Sequence, residues 1–353
     1  MPPLITPGDD LIAVTGSNGF IGSHIVNRLL QDGYHVRAVV RDPTDESKVA
    51  HLQALPGASE RLQCVGGSLL EAGGYDDAFA NVAAIIHTAA VVEVIDNSDP
   101  ENRIVRPAVE GTKNVVAAAK KAGVRRLVMT SSVAAIQSPL GLPDDYQYDE
   151  KDWNGWSTVA TDAYGYAKTQ QERTLWDSLE NGDASFDAVV ICPSVTLGPP
   201  LCKAHTKAST VLVREHLFGN SMNAYNTSFA DVRDVAAAAS AALTSAEAGG
   251  QRFIVTGDEG PMSTLDLGKL AQKALPQYDI GGRARNGPWV TWLLARIGYL
   301  TAFQESQCTR LFRFSNARCK AVLGVQPRPL EETVAESASA MVEGGWVKPR
   351  KRR

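Results

Sequence analysis

Tyr164 and Lys168, in the stretch DAYGYAK, are spaced four residues apart. On a helix that spacing puts both on one face, one turn from each other. A phenol is a poor proton donor or acceptor near neutrality, because its unperturbed pKa is about 10. An ammonium one turn away favours the phenolate. At ~5 Å and an effective dielectric near 20 the attraction is roughly 3 kcal/mol, an upper figure worth about two pKa units. A tyrosine tuned in this way can protonate an alkoxide or deprotonate an alcohol. Tyr166 has no such partner, since position 170 is Gln170. The spacing alone is common by chance, so its meaning rests on what surrounds it.

A second group with chemical potential is Thr15-Gly16-Ser17-Asn18-Gly19-Phe20-Ile21-Gly22. Its three glycines fall between a predicted strand and a predicted helix, the context in which such a run binds a dinucleotide. Gly16 permits a tight turn, Gly19 lets backbone amides approach a pyrophosphate, and Gly22 allows close packing of helix on strand. The helix N-terminus adds about half a positive charge toward the phosphates. The next strand ends in Val39-Val40-Arg41-Asp42, with Lys48 a short way on. An acid at this point holds the ribose 2′-hydroxyl of NAD. Arg41 and Lys48 suit the 2′-phosphate of NADP instead, and a guanidinium also stacks on adenine. Asp42 keeps the NAD reading open.

These residues need a scaffold, and the chain supplies strand-helix alternation through its first two thirds. Strands are predicted at Leu11–Thr15, Val36–Val40, Leu62–Val65, Ala83–His87, Leu127–Thr130 and Ala188–Cys192. Helices are predicted at Ile21–Gln31, Arg103–Ala122 and Ala163–Leu179. Such alternation builds an α/β fold, a doubly wound parallel sheet with ligands outside the carboxyl ends of its strands. After Pro193 the pattern loosens, with a short strand at Phe253–Thr256. The expected organisation is a dinucleotide-binding domain over 1–193, a smaller interleaved substrate lobe over 194–345, and a basic tail over 346–353. That tail reads as a frayed, solvated segment, with a nuclear address or anion-binding arm as the alternative.

The 353 residues carry a net charge of -4, which offers no basic field for nucleic acid. Five cysteines, Cys64, Cys192, Cys202, Cys308 and Cys319, include no Cys-x-x-Cys. A disulfide framework or zinc site is not expected, and a reducing, cytoplasmic setting is. The start, MPPLITPGDDL, lacks the layout of a signal peptide. Trp289–Phe303 is apolar but shorter than a bilayer span and contains Arg296, so it reads as a buried or pocket-covering helix without stable membrane insertion. His87 reads as a packed residue, and His205 and His216 as solvent-facing or pocket-lining ones. Trp153, Trp156, Trp289 and Trp292 are open between an apolar substrate pocket and core packing.

With these residues in view, the chain resembles the extended short-chain dehydrogenase/reductase family. More narrowly it is similar to the branch of dihydroflavonol reductases, cinnamoyl-CoA reductases and fungal aldehyde/ketone reductases. TGSNGFIGSH with VRAVVRDP, YDDAF with HTAAVV, RRLVMTSSVAA, YDEKDWN, AYGYAK, FADVRDVA and FSNARCKAVLGVQPRPLEETV carry the likeness over nearly the whole chain. The resemblance implies a Rossmann-type fold and NADPH-dependent reduction of a small-molecule aldehyde or ketone. Kept beside it are a 3β-hydroxysteroid-type dehydrogenase or sugar-nucleotide epimerase, and a non-catalytic dinucleotide-binding protein. Either a monomer or a homodimer fits.

By position, the resemblance implies that Ser132 orients the carbonyl oxygen and Tyr164 donates the proton. Lys168 would hold the nicotinamide ribose and lower the tyrosine pKa. Phe20 and Ile21 would supply backbone contacts to the pyrophosphate. Thr88, Ala89, Ala90 and Thr130 would line the cofactor, with Pro193 and Val195 flanking the nicotinamide. Ser68, before Leu69 in GGSLL, stands where that branch places an aspartate against adenine, which implies a weaker or water-mediated contact. Gln137 falls where flavonoid reductases often place a substrate-contacting asparagine. It either mimics that contact with a longer reach or marks a different substrate.

Overall fold

The computed structural model describes residues 5–89, 99–138, 142–143, 145–182, 186–220, 222, 224–281, 296, 306–308 and 310–352. Seven parallel strands form the central sheet: β1 (Leu11–Thr15), β2 (His35–Val40), β3 (Leu62–Gly66), β4 (Ala84–His87), β5 (Arg126–Thr130), β7 (Asp187–Pro193) and β11 (Arg252–Val255). Their spatial order is β3-β2-β1-β4-β5-β7-β11. The chain leaves β1 toward β2 and β3, then returns to β4 on the other side. That reversal opens a crevice at the carboxyl ends of β1 and β4, where doubly wound sheets bind ligands.

Helices cover both faces. They are α1 (Phe20–Gln31), α2 (Glu46–Gln53), α3 (Ala58–Arg61), α4 (Asp76–Phe79), α5 (Arg106–Ala122), α6 (Ala163–Glu180), α7 (Val211–Phe218), α8 (Val232–Thr244), α9 (Asp266–Ala274) and α10 (Leu330–Glu343). Alternate residues of β1 serve opposite cores, as a period of two requires. Ile12 and Val14 pack with Ile25 and Leu29 of α1 and Val235 and Ala239 of α8. Ala13 faces the other way, toward Phe79, Val115 and Ala119. Burial on both faces explains why these strands read as continuous apolar runs. β3 reads weakly because it is an edge strand, with Gln63 and Gly66 exposed.

The later chain forms a third core around Val213, Leu217, Phe229, Leu267, Val334 and Met341. Short strand pairs accompany it: β8 (Val195–Leu197) with β10 (Phe229–Asp231), β9 (Asn226–Thr227) with β12 (Met262–Ser263), and β6 (Gln147–Tyr148) with β13 (Arg313–Phe314). The short strand expected at Phe253–Thr256 is β11 (Arg252–Val255), and it joins the central sheet as its last strand. The helix expected from Arg103 begins earlier, as a π-helical turn over Glu101–Val105. Pro107 has no N–H to donate back to Arg103, so the first turn widens before α5 starts at Arg106.

The basic tail is not a frayed segment. Lys351 bridges Tyr278, the Asp279 N–H donates to the Arg350 carbonyl at 2.8 Å, and Val347 is buried. Backbone pairing holds the tail, a property that its charge pattern hid. Trp289–Phe303 lies outside the described residues, Arg296 apart. Among the described residues, no helix is long and apolar enough to cross a membrane.

Candidate active site

The glycine loop follows β1. Gly16 has φ 65°, in the left-handed region, and a Cβ there would sit 2.8 Å from the Ala89 nitrogen. A Cβ on Gly22 would collide with the Gly16 carbonyl. The loop is therefore as narrow as backbone allows, and α1 starts at its rim with no acidic residue in its first turn. Beside it lies a cleft of about 620 Å³ lined by Gly16, Asn18, Gly19, Arg41, Ser68 and Leu69, with Thr88 and Ala89 on the β4 side. Thr88 Oγ1 donates to the Thr15 carbonyl at 2.7 Å, fixing that wall. This cradle fits a dinucleotide, since no side chain caps the N-terminus of α1 and the backbone there can approach a pyrophosphate.

Gly22→Ala is expected to shift α1 or the turn, because the colliding atom is backbone. Overpacking of this kind costs about 1–3 kcal/mol. Dinucleotide affinity should fall by about tenfold or more, measured by NADPH fluorescence titration alongside thermal unfolding.

Around the cleft, the expected residues divide. Arg41 is exposed at its edge, while Lys48 is exposed on α2 and is not among the lining residues. Asp42 turns to Thr44, accepting from its N–H at 2.9 Å and its Oγ1 at 2.7 Å, and these bonds hold the carboxyl below its usual range. Ala90 lies outside the described residues. Phe20 has a buried ring, edge-on to His24 and His205. Thr130 ends β5, with Oγ1 buried and lacking a hydrogen-bond partner among the described residues.

A second cavity, of about 290 Å³, brings together Ser132, Tyr164, Gln137, Pro193, Val195 and Ile21. Ser132 caps a short 3-10 turn, Val133–Ala135, accepting from the Ala134 N–H at 3.1 Å. Tyr164 sits in the first turn of α6. That helix is started by Asp162, which accepts from the Gly165 N–H at 3.1 Å, the N-cap role aspartate favours. Asp162 also accepts from Ser157 Oγ at 2.9 Å, and Asn154 Nδ2 donates to Ser157 Oγ at 2.7 Å. Asn154 Nδ2 donates as well to the Ala134 carbonyl at 2.8 Å. One amide thus ties the Ser132 turn to the start of the Tyr164 helix.

The electrostatics correct one expectation. Burial pushes the Tyr164 phenol above the usual tyrosine range, and a hydrogen bond with Ser132 opposes the shift. Lys168 does not pull it down. Its buried Nζ donates to Gln171 Oε1 at 3.0 Å, and burial lowers its pKa to about 8. Desolvation of the buried phenol outweighs any attraction that the four-residue spacing would allow.

Beneath Lys168, sequence reasoning missed a buried ion pair. Glu172, fully buried, accepts from Ser131 Oγ at 2.7 Å, Arg252 Nη2 at 3.2 Å and Trp176 Nε1 at 3.2 Å. Arg252 also donates to the Asp152 carbonyl at 2.8 Å and lies 3.8 Å over the Trp153 ring. Trp153 is therefore a lid on this arginine, and neither it nor Trp156 lines the Ser132–Tyr164 cavity. Trp289 and Trp292 lie outside the described residues. His87 is packed: Nδ1 meets Thr15 Oγ1 at 2.7 Å, and burial lowers its pKa to about 3.

His205 and His216 are buried, not solvent-facing. His216 Nε2 meets the Thr264 carbonyl at 2.8 Å. His205 Nε2 meets the Asn18 carbonyl of the glycine loop at 3.1 Å, so it joins the lobe to the cradle. No metal site was expected, yet His205 is gathered with His51 and Cys202.

The profile of the NAD dependent epimerase/dehydratase family matches residues 12–256. The chain is 32% identical over 341 residues to cinnamoyl-CoA reductase 1 of Oryza sativa subsp. japonica, covering 96% of this chain and 92% of that protein. Over 194 residues it is 39% identical to tetraketide alpha-pyrone reductase 1 of Arabidopsis thaliana, 54% of this chain and 58% of that protein. The solved structure of yeast methylglyoxal/isovaleraldehyde reductase Gre2 complexed with NADPH is similar at a TM-score of 0.78 and 25% identity, covering 96% of this chain and all (100%) of that one. The glycine cradle, the parallel sheet and these matches agree, and the chain belongs to the NAD dependent epimerase/dehydratase family, the extended short-chain dehydrogenases/reductases.

Proposed function

We propose that this chain is an NADPH-dependent reductase that converts an aldehyde or ketone to the alcohol. The observation that carries the reading is that Ser132 and Tyr164 share the wall of one cavity, flanked by Pro193 and Val195. The relatives named above are reductases, which supports the same class. When bound, NADPH supplies the hydride. Glycines 16, 19 and 22 and the α1 N-terminus would hold its pyrophosphate, and Lys168 its nicotinamide ribose.

Ser132 Oγ–H donates to the substrate carbonyl oxygen and fixes it beside the Tyr164 hydroxyl. As negative charge gathers on that oxygen, the serine stabilises it and Tyr164 transfers its proton. The raised phenol pKa serves this direction, because Tyr164 is fully protonated at neutral pH.

Arg41 carries the preference for the phosphorylated cofactor. It stands at the cleft edge while Asp42 is engaged by Thr44. Removing one hydrogen bond to a charged group costs about 1.5–3 kcal/mol, roughly 10- to 100-fold in affinity. Arg41→Ala is expected to weaken NADPH by that factor and NADH little, read by fluorescence titration of both.

A screen of aromatic aldehydes, dihydroflavonols, β-keto esters and steroids, with NADPH and with NADH, tests the reading as a whole. Loss of NADPH absorbance with one carbonyl class is the expected outcome. Tight NADPH binding without consumption of any carbonyl would count against it.

A further inference from the structure

We propose that His51, Cys202 and His205 form a binding site for a zinc-class divalent cation, seated between the glycine loop and the lobe, whose occupation opposes dinucleotide binding. The inference does not rest on the reductase reading. One ligand atom from each of the three residues lies within 4.8 Å of the others. His51 comes from α2. Cys202 and His205 come from the cap and body of the 3-10 turn Lys203–Lys207, so the lobe offers a Cys-x-x-His pair on one turn.

The donor set selects the ion. Two imidazoles and a thiolate suit zinc and its soft or borderline neighbours, whereas magnesium and calcium require oxygen ligands. Zinc bonds of about 2.0–2.3 Å in a tetrahedron place donors roughly 3.3–3.7 Å apart. Side-chain rotations of about an ångström close the present cluster to that size. The two rings already stand perpendicular with centroids 5.1 Å apart. The Cys202 thiol loses its proton to solvent when the sulfur–metal bond forms. Three protein ligands leave a fourth position for water, the pattern of an exchangeable site rather than a closed structural one.

The position decides the consequence. The His205 ring is engaged at both nitrogens: Nε2 meets the Asn18 carbonyl at 3.1 Å, and the Leu201 N–H donates to Nδ1 at 3.2 Å. His51 Nε2 lies 3.0 Å from Ser23 Oγ, and that hydroxyl reaches the Ser17 and Gly19 carbonyls of the loop, each at 2.8 Å. An ion that takes a nitrogen of His205 displaces one of its two bonds and turns His51 off Ser23. Asn18 and Gly19 line the dinucleotide cleft. The cradle is thus built with the histidines holding it, and the ion withdraws them. By linkage, the dinucleotide must weaken the ion by the same factor.

The test uses the full chain without a histidine tag. Co2+ should bind one to one, with a near-ultraviolet thiolate-to-cobalt absorption that Zn2+ displaces. Cys202→Ser should remove that absorption, and His51→Ala should weaken Zn2+ at least tenfold by titration calorimetry. Both side chains are only partly buried, so both variants should fold, checked by their melting temperatures. Saturating Zn2+ should weaken NADPH about tenfold in the native protein and much less in Cys202→Ser, read by NADPH fluorescence without turnover. The proposal is overturned if the thiolate band survives Cys202→Ser, if His51→Ala binds Zn2+ as tightly as the native chain, or if Zn2+ leaves NADPH affinity unchanged.

Discussion

Tyr164→Phe loses turnover by about 10²- to 10⁴-fold, roughly 3 to 5 kcal/mol of barrier, while NADPH binds within about twofold of the native affinity. The ring and its packing are kept, and only the proton is removed. Ser132 remains capped onto the Ala134 N–H, so the oxygen-binding side of the cavity keeps its shape. The expected signature is a fall in kcat with little change in cofactor affinity, because in the proposed mechanism the proton is delivered only as charge develops on the substrate oxygen. Steady-state kinetics paired with fluorescence titration separate the two. Full activity in the variant would remove Tyr164 from the mechanism. A folded variant that loses NADPH instead would make the hydroxyl a binding group.

The second large effect lies under the site. Arg252→Met leaves the Glu172 carboxylate fully buried with neutral donors alone, Ser131, Trp176 and the Cys192 thiol, where it now has a guanidinium as well. Breaking one side of a buried ion pair costs about 3–5 kcal/mol, since the remaining charge is uncompensated. Urea unfolding should show a loss of that size. A double variant, Glu172→Met with Arg252→Met, should recover a good part of it, because apolar groups of similar volume need no partner. A single variant within about 1 kcal/mol of the native chain would mean that Glu172 accommodates its burial without the arginine.

The parts of this molecule legible in its sequence are those whose demands are local. Gly16 and Gly22 announce a tight turn and a close approach because no other residue meets those constraints, and three glycines between strand and helix carry that message alone. Tyr164 and Lys168 share a face by helical arithmetic. Their electrostatics are another matter, since the phenol is governed by burial that arrives only when the sheet and α6 are assembled. Asp162 was open to reading as a helix cap two residues before Tyr164, but its tie through Ser157 and Asn154 to the Ser132 turn was not. Arg252 sat in a segment with loose periodicity, and nothing local paired it with Glu172. The tail was misjudged for a similar reason. Backbone hydrogen bonds to residues 277–279 leave no trace in side-chain pattern.

The last strand of the sheet also sets a schedule. Glu172 and Arg252 are 80 residues apart in the chain. At a synthesis rate of about 5–20 residues per second, the glutamate waits about 4–16 s for its partner to be made. Until then Glu172 lacks its guanidinium, and β7, once made, has no neighbour on its outer edge. The ion pair beneath the helix that bears Tyr164 is therefore completed only when the last strand of the sheet has been made.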